Sequence, residues 1–294
     1  MLSREQFEVL SFLAEESACV GVQVIAEKTE LSKEQVAKAW DWFKSEGAIV
    51  NGKISEKGYE LLEPYKVKRV LIMAAGFGSR MAPLTLTTPK PLVKVNGKRM
   101  IDTGIDAALK AGIPEIYVIR GYKAEMFDEL LEKYPMVRFI ENPFYAEGNA
   151  ILSIACAGSL IKNCYTMEAD LIISNPDIIK PYQYKSTYLG IPVEQTEDWC
   201  IEVKDDVIYR IGKGGKDCYQ TVGIAYWSEE DGTKLYRHIK EVISKPEGRN
   251  YFVGQVALTV YKDDYKVGVR AVAFEDIVEI DTLDELKEID PSYR

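Results

Sequence analysis

The chain has 294 residues, of which 47% are hydrophobic and 28% are charged. This composition excludes a disordered or fibrous protein, and the length allows a large core and more than one domain. The longest stretch without a charged residue runs from Gly148 to Ile161, which is too short to span a bilayer. The net charge of −9 disfavours binding to polyanions in general. Any phosphate chemistry must therefore use local clusters of basic residues.

The cysteine and histidine content narrows the chemistry further. The five cysteines are scattered and never spaced as C-x-x-C, so we expect neither a disulfide framework nor a zinc ribbon, and we predict a reducing, cytoplasmic location. A single histidine, His238, disfavours imidazole-based triads and the usual zinc sites. We predict that His238 occupies a surface position on a helix.

Residues 1–66 place apolar side chains at helical spacing, which predicts amphipathic helices. Ser32 and Gln35 are spaced as a capping box at the start of one of them, and Gly47 is expected to end that helix. The segment 48–54 contains an Asn-Gly pair and is predicted to form a hairpin. Together these features predict a small winged helix-turn-helix-like domain.

The charge of this region bears on its partner. Residues 1–66 carry eight Lys or Arg against twelve Asp or Glu, and the predicted recognition helix from Ser32 to Glu46 has three of each. Binding to duplex DNA depends on cationic contacts to phosphate, so nucleic acid is not the expected partner. We favour an interaction or dimerisation module, compatible with a homo-oligomer. A DNA-binding regulator with a nucleotide-sensing domain is the alternative from another functional class.

Residues 67–294 alternate strand-like and helix-like segments, which predicts a second domain of the α/β class with a parallel sheet covered on both faces. The predicted strands are 70–73, 116–119, 137–140, 165–167, 199–203, 207–211, 222–227 and 267–274. The predicted helices are 100–111, 123–134, 149–161, 230–244 and 251–261.

A glycine-rich loop with basic residues follows the first of these strands. Its sequence is Ala74-Ala75-Gly76-Phe77-Gly78-Ser79-Arg80, and Pro89-Lys90 comes shortly after. The glycines let backbone N–H groups approach a triphosphate, and Arg80 and Lys90 supply positive charge. A dinucleotide fingerprint would need a third glycine where Met81 stands, and a Walker loop would need G-K-[ST]. The loop therefore predicts a nucleotide site of another kind.

Two pairs of acids each follow an apolar segment, Glu168 with Asp170 and Glu279 with Asp281. Residues two apart on an extended segment point the same way, so each pair offers oxygen ligands on one side. Ligands of open α/β sheets collect at the carboxyl ends of strands. The two pairs together predict one Mg²⁺ site, and ordinary solvated alternation of acids is the alternative.

With the pattern A-A-G-x-G-x-R…P-K, the chain from about Val67 to its C-terminus resembles the nucleotidyltransferases that make nucleotide-sugars and CDP-alcohols. Within that family it is most similar to the bacterial CTP:phosphocholine cytidylyltransferases. The resemblance implies a Rossmann-like mixed sheet and a Mg²⁺-dependent reaction of CTP with a small phosphorylated acceptor, phosphocholine being favoured, to give CDP-choline and pyrophosphate. It implies that Asp170, Glu279 and Asp281 hold the metal. Catalysis would come from positioning and from the charges of Lys90 and Arg80.

The resemblance also implies the residues that contact the nucleotide. They are Ala74, Ala75, Gly76, Phe77, Gly78, Ser79, Arg80, Lys90, Gly121, Tyr122, Gly148 and Asn149. An N-terminal helix cap is an alternative role for Asn149 that is compatible with ligand binding.

An acceptor with a quaternary ammonium would require an aromatic cage. The candidate residues are Trp199, Tyr226, Trp227, Tyr251 and Phe252, of which Trp199 and Trp227 match aromatic positions of the phosphocholine enzymes. Those relatives usually have a tryptophan and an acidic residue where this chain has Val253 and Gly254, which weakens the case for choline. Phosphoethanolamine, 2-aminoethylphosphonate and sugar 1-phosphates therefore stay open as acceptors, and with a sugar phosphate the aromatic residues would serve packing.

Overall fold

The computed structural model of the protein describes residues 1–16 and 18–294. The chain divides into two structural units. The smaller unit comprises Met1–Lys66 with Tyr182–Tyr184, and the larger comprises Val67–Pro181 with Lys185–Arg294. In the described part of the chain, no helix is long and apolar enough to cross a membrane.

The smaller unit consists of helices around a short hairpin. Its elements are α1 (Arg4–Glu15), α2 (Val22–Lys28), α3 (Lys33–Ser45), β1 (Ile49–Val50), β2 (Lys53–Ile54) and α4 (Glu56–Leu62). Ser32 and Gln35 form the predicted capping box at α3, because each satisfies a backbone N–H that the first turn leaves unpaired. Asn51 and Gly52 both have positive φ, 51° and 74°, as a two-residue hairpin of this type requires. The assignment of this unit to the winged-helix class stays a prediction.

The larger unit combines strands and helices. Its strands are β3 (Arg69–Ala74), β4 (Lys94–Val95), β5 (Lys98–Arg99), β6 (Glu115–Arg120), β7 (Arg138–Glu141), β8 (Cys164–Glu168), β9 (Leu171–Ile173), β10 (Thr187–Lys204), β11 (Val207–Trp227), β12 (Gly268–Ala271) and β13 (Ile277–Glu279). Its helices are α5 (Met100–Lys110), α6 (Leu130–Lys133), α7 (Ile151–Ala157), α8 (Glu229–Ile243), α9 (Val253–Gln255) and α10 (Leu283–Ile289).

Seven of these strands form one mixed sheet, in the order β12-β10-β11-β8-β3-β6-β7. Strands β8, β3, β6 and β7 run parallel, and β11 is antiparallel to both β8 and β10. Val70 and Ile72 of β3 enter one buried cluster while Leu71 enters another. A strand covered on both faces is apolar throughout, which explains the continuous hydrophobic run of β3. The α/β class and the mixed sheet implied by the resemblance are confirmed. The wholly parallel sheet predicted from the alternation is wrong, because β11 runs antiparallel to both of its neighbours.

Several helices and strands differ in length from the predicted ones. The predicted helix 149–161 stops at Ala157, because Gly158 has a φ of +62° and the chain continues as a 3₁₀ turn. The predicted strands 199–203 and 207–211 are parts of β10 and β11, which are 18 and 21 residues long. Their pairing shifts register repeatedly, as bulges do. Glycines inside β10 and β11 are unfavourable in strands, so the predicted strands were shorter than the observed ones.

His238 on α8 is buried, contrary to the predicted surface position. Its side chain is 3% exposed, its ring stacks on Tyr261 with 3.8 Å between centroids, and Nδ1 lies 2.8 Å from the hydroxyl of Tyr265. Burial lowers the pKa of His238, assisted by the charge of Arg237. The histidine is held inside because a tyrosine hydroxyl satisfies its ring nitrogen.

Candidate active site

The loop after β3 holds its shape through contacts among its own residues. Gly78 has a φ of +63°, a left-handed conformation that favours glycine. A Cβ at Gly78 would lie 2.7 Å from the Cβ of Lys90, so the missing side chain lets Lys90 lie against the loop. The hydroxyl of Thr85 donates to the Gly78 carbonyl at 2.9 Å. Glycine at position 78 is thus required by the backbone conformation of the loop and by its packing against Lys90.

Gly76, unlike Gly78, is not surrounded by other side chains. Apart from Gly76 and its two chain neighbours, no atom of the described residues lies within 4 Å of the position that a Cβ at Gly76 would occupy, so packing does not require glycine there. Gly76 is part of the wall of a cavity of about 360 Å³. A glycine that exposes its backbone to a cavity suits the close approach of a phosphate.

Lys90 and Arg80 form an ionic cluster with two aspartates. The Nζ of Lys90 lies 2.5 Å from Oδ2 of Asp170 and 3.1 Å from Oδ1 of Asp281. The guanidinium of Arg80 binds both oxygens of Asp281, each at 2.6 Å. Burial of Lys90 disfavours its charged form, but Asp170 and Asp281 outweigh that effect, so the pKa of Lys90 is raised. Lys90 is therefore charged at neutral pH.

Three carboxylates lie close together beside this cluster. Glu168, Asp170 and Glu279 each offer an oxygen, and these atoms lie within 4.8 Å of one another. Strand β13 pairs antiparallel with β9 and places Glu279 opposite Leu171. The N–H of Ile280 extends this pairing by donating to the Asp170 carbonyl at 3.1 Å. The hydrogen bonds between β9 and β13 thus join two acid pairs that are distant in the chain.

The electrostatics of the acids favour a bound cation. Burial, together with the charges of Asp170 and Asp281, raises the pKa of Glu168 to about 8. Burial, with the charges of Glu168 and the two aspartates, raises the pKa of Glu279 to about 9. Within the described residues, the buried Oδ1 of Asp170 has no hydrogen-bond partner. A divalent cation that prefers oxygen ligands fits this set, because it would satisfy that oxygen and stabilise the charged carboxylates.

The three acids whose oxygens converge differ in one member from the predicted metal ligands. They are Glu168, Asp170 and Glu279, whereas the oxygens of Asp281 bind Arg80 and Lys90. The role of Asp281 as a metal ligand stays a prediction. Glu168 belonged to one of the acid pairs recognised in the sequence, but spacing could not show which three of the four acids converge.

Two cavities meet at this cluster. One, of about 360 Å³, is bordered by the glycine-rich loop. The other, of about 370 Å³, is bordered by β10, β11 and α9. Both are lined by Arg80, Glu168 and Asp281. The ionic cluster is thus shared by both cavities, as an active site between two substrates requires.

Most residues predicted to bind nucleotide line the first cavity. They are Ala74, Ala75, Gly76, Phe77, Gly78, Ser79, Arg80, Lys90, Gly148 and Asn149. Tyr122 is placed behind the loop instead, where its N–H donates to the Ala75 carbonyl and its hydroxyl donates to the Thr85 carbonyl. Gly121 acts through packing, because a Cβ there would lie 2.7 Å from the Cβ of Tyr145.

Asn149 does not cap a helix. The N-cap of α7 is Ala150, and the side-chain amide of Asn149 donates to the Asn250 carbonyl. Its backbone N–H donates to the Arg249 carbonyl at 2.9 Å. Through these two hydrogen bonds, Asn149 connects the wall of the first cavity to residues Arg249 and Asn250, which precede α9.

Three polar residues that line the first cavity, Asn142, Tyr145 and Ser153, are among those that were not predicted. The ring of Tyr145 lies edge-on to Phe77, 5.3 Å between centroids. Asn142 and Tyr145 follow the carboxyl end of β7, and Ser153 belongs to α7. Their place after a parallel strand is the only signal in the sequence that could have identified the first two.

The aromatic residues divide between the second cavity and the core. Trp199 and Phe252 line the cavity, with 5.3 Å between their ring centroids. Tyr226 and Trp227, predicted to contact the acceptor, are core residues instead: the Tyr226 hydroxyl donates to Asn163, and the Trp227 indole N–H donates to the Thr166 hydroxyl. Tyr251 packs against the core rather than the cavity. Neighbouring residues on a strand face opposite sides of the sheet, so Tyr226 and Trp227 enter two different buried clusters.

Comparison with known proteins agrees with this geometry. The family model described as nucleotidyl transferase matches residues 69–188. The 2-aminoethylphosphonate cytidylyltransferase of Lancefieldella rimae is 40% identical over 227 residues, which are 76% of this chain and 92% of that protein. The chain belongs to the nucleotidyl transferase family. The predicted nucleotidyltransferase family and the prediction that the protein is an enzyme are thereby confirmed, whereas the particular similarity to the phosphocholine enzymes is not.

Further relatives of this nucleotidyltransferase come from Streptococcus pneumoniae. Its choline-phosphate cytidylyltransferase is 30% identical over 227 residues, covering 76% of this chain and 96% of that protein. The solved structure of the CTP:phosphocholine cytidylyltransferase from that organism has a TM-score of 0.71 and 29% identity, and covers 78% of this chain and all of that chain.

The side chains of the nucleotidyltransferase site define what chemistry it can perform. Neither cavity is lined by a cysteine or a histidine among the described residues. Two cations and four carboxylates surround the place where the cavities meet. This set suits catalysis by positioning and charge stabilisation, without a covalent intermediate on the protein.

Proposed function

We propose that this nucleotidyltransferase transfers the cytidylyl group of CTP to a small zwitterionic acceptor that carries a primary ammonium and a phosphonate or phosphate, with 2-aminoethylphosphonate preferred. The observation that carries the proposal is the second cavity, where two aromatic rings, Trp199 and Phe252, stand with the polar side chains of Asp198 and Gln255. A quaternary ammonium is recognised by aromatic faces, whereas a primary ammonium needs hydrogen-bond acceptors. This wall offers such acceptors.

The sequence identity with two relatives also supports 2-aminoethylphosphonate as the acceptor. The Lancefieldella rimae relative, named for 2-aminoethylphosphonate, is 40% identical, and the Streptococcus pneumoniae relative, named for choline phosphate, is 30% identical over the same length. Phosphocholine is the second candidate, favoured by the contact between Trp199 and Phe252 and by the overall similarity to the Streptococcus pneumoniae structure.

The reaction requires one bond to form and one to break. An oxygen of the acceptor phosphonate attacks the α-phosphorus of CTP, and the bond from that phosphorus to the bridging oxygen breaks, so that its electron pair leaves with pyrophosphate. Lys90 and Arg80 border the nucleotide cavity and offset negative charge on the phosphate oxygens. Both are bound to aspartates in the structure, so the phosphates would compete for these cations.

Mg²⁺ is the proposed cofactor, and Glu168, Asp170 and Glu279 would hold it. When bound, a divalent cation of this kind supplies positive charge that stabilises the phosphates. Asp281 would then position Arg80 and Lys90, through the three contacts described above.

Residues 1–66 are proposed to form a separate winged-helix-like module that serves protein interaction. Helix α3 and its flanks carry three acidic and three basic side chains between Ser32 and Glu46. That balance does not favour a polyanionic partner.

A pyrophosphate-release assay tests the proposed function. The purified protein with Mg²⁺ is given each of four nucleoside triphosphates together with 2-aminoethylphosphonate, phosphoethanolamine, phosphocholine or a sugar 1-phosphate. We expect the highest kcat/KM with CTP and 2-aminoethylphosphonate, and a new phosphonate–phosphate product by ³¹P NMR. A higher kcat/KM with phosphocholine would replace the acceptor, and turnover with sugar phosphates alone would reject the proposal.

A further inference from the structure

A tyrosine at the floor of the second cavity has a hydroxyl without a partner. Tyr188 lies on β10, is 8% exposed, and lines the cavity together with Glu168 and Trp199. Its ring lies edge-on to the buried Trp227, with 5.9 Å between centroids. Within the described residues, the Tyr188 hydroxyl makes no hydrogen bond, and its oxygen is open to the cavity rather than fully buried. The hydroxyl is therefore available to a ligand.

Gly254 makes room for this hydroxyl. A Cβ at Gly254 would lie 2.5 Å from the Tyr188 oxygen, closer than real Cβ contacts allow, and 3.0 Å from Cδ1 of Ile211. Gly254 belongs to α9 and also lines the cavity, and its φ is not in the left-handed region. Glycine is needed there because of these side chains, of which Tyr188 is the nearer, and not because of the backbone. The two residues form a matched pair in the cavity wall.

The charge around Tyr188 selects the kind of group that can bind. Burial, with a smaller effect of Glu168, raises the pKa of Tyr188, so the hydroxyl stays neutral. The lining of this cavity also includes the carboxylate of Asp198 and the ring of Trp199, both of which suit a cation, while Arg80 suits an anion. The ammonium end of the acceptor therefore suits the floor of the cavity, with the phosphonate end directed towards Arg80.

We infer that the hydroxyl of Tyr188, in the space left by Gly254, is a specificity-determining contact that accepts a hydrogen bond from the primary ammonium of the acceptor. A trimethylammonium has no N–H to donate, so its binding would leave the hydroxyl buried and unpaired. Sites that hydrogen-bond a substrate group discriminate against the analogue that lacks it. The inference rests on the proposed function and deepens it, because it assigns selection between primary and quaternary acceptors to one hydroxyl.

The test uses acceptor pairs that differ only in N-methylation. These are 2-aminoethylphosphonate with its N-trimethyl analogue, and phosphoethanolamine with phosphocholine. The measured quantity is the ratio of kcat/KM for the primary ammonium to that for the trimethylammonium. For Tyr188→Phe we expect this ratio to fall about tenfold to a hundredfold, mainly through a higher KM for the primary ammonium, with the KM for CTP and the Tm unchanged.

Two further variants keep the test decisive. Tyr226→Phe removes a hydroxyl that is bonded in the core to Asn163, and it should leave the ratio unchanged. Gly254→Ala should lower the ratio by displacing the Tyr188 hydroxyl, and this effect should be smaller in the Tyr188→Phe background, because coupled sites are not additive.

The outcomes separate the inference from the proposed function. A ratio that is the same in the wild type and in Tyr188→Phe overturns the role of Tyr188 while leaving the transferase proposal in place. A wild type that releases pyrophosphate from CTP with none of the four acceptors overturns the proposed function, and the inference with it.

Discussion

At the scale of single residues, the site depends on a few side chains whose roles follow from their contacts. Lys90 is 7% exposed and lies between Asp170 and Asp281. Gly78 allows this position, and Gly76 leaves the cavity wall free of a side chain. Charge and steric access, rather than a nucleophile, are what these positions contribute.

Replacing Lys90 with alanine should reduce kcat by at least about a hundredfold, because a preorganised cation that stabilises developing charge is removed. The measurement is steady-state pyrophosphate release at saturating CTP, with far-UV circular dichroism to verify folding. A folded variant with near-normal kcat would show that Lys90 is not part of the catalytic machinery.

The two glycines of the loop should respond differently to alanine. Gly78→Ala should destabilise the protein by about 1 kcal/mol or more, because of its positive φ and its contact with Lys90. Gly76→Ala should keep the wild-type Tm and raise the KM for CTP, because only the ligand needs that space. Thermal unfolding and CTP titration distinguish the two variants, and an equal loss of Tm in both would contradict this division.

At the scale of elements, the alternation along β11 decides which aromatic residues can meet a ligand. Ala225 faces the second cavity, whereas Tyr226 points to the other side of the sheet and Trp227 fills a buried cluster. The pairing of β13 with β9 likewise determines the positions of the acids, because its backbone hydrogen bonds fix which carboxylates converge.

Trp227→Ala should therefore act on stability. Removing a fully buried indole typically costs about 3–5 kcal/mol. The free energy of unfolding from urea titration should fall by that amount. A variant with the unfolding free energy of the wild type would contradict this structural role.

At the scale of the whole molecule, folding gathers four carboxylates and two cations from three distant parts of the sequence. The excess of negative charge is relieved by protons on Glu168 and Glu279, whose pKa values are raised to about 8 and about 9 from an ordinary value of 4.5. A divalent cation would replace those protons.

This predicts how stability changes with pH. A carboxyl whose pKa is raised by folding keeps its proton in the native state after the unfolded chain has lost it, so stability falls as the pH rises. In EDTA, the Tm should therefore decrease from about pH 5 to about pH 9, in the window between the unfolded and folded pKa values. Added Mg²⁺ should raise the Tm most at the alkaline end.

Differential scanning calorimetry at several pH values, with and without Mg²⁺, makes this measurement. Glu168→Gln should flatten the pH dependence and weaken the response to Mg²⁺, whereas Glu115→Gln, a change of an acid on the distant β6 strand end, should do neither. A Tm that is unaffected by Mg²⁺ at every pH would argue against a metal at these acids.

Local patterns in the sequence are enough to predict the class of fold, the strands β3, β6 and β8, and the loop with Gly76, Arg80 and Lys90, because periodicity, glycine and charge are local properties. The same patterns put the two acid pairs at strand ends. The folded chain was needed to show that Glu168, Asp170 and Glu279 converge while Asp281 binds Arg80 and Lys90. It was also needed to show that Tyr226 and Trp227 are buried and that Tyr188 lies next to Gly254. Those outcomes depend on strand pairing and on which face of the sheet a residue occupies, and both are set by contacts between segments far apart in the chain.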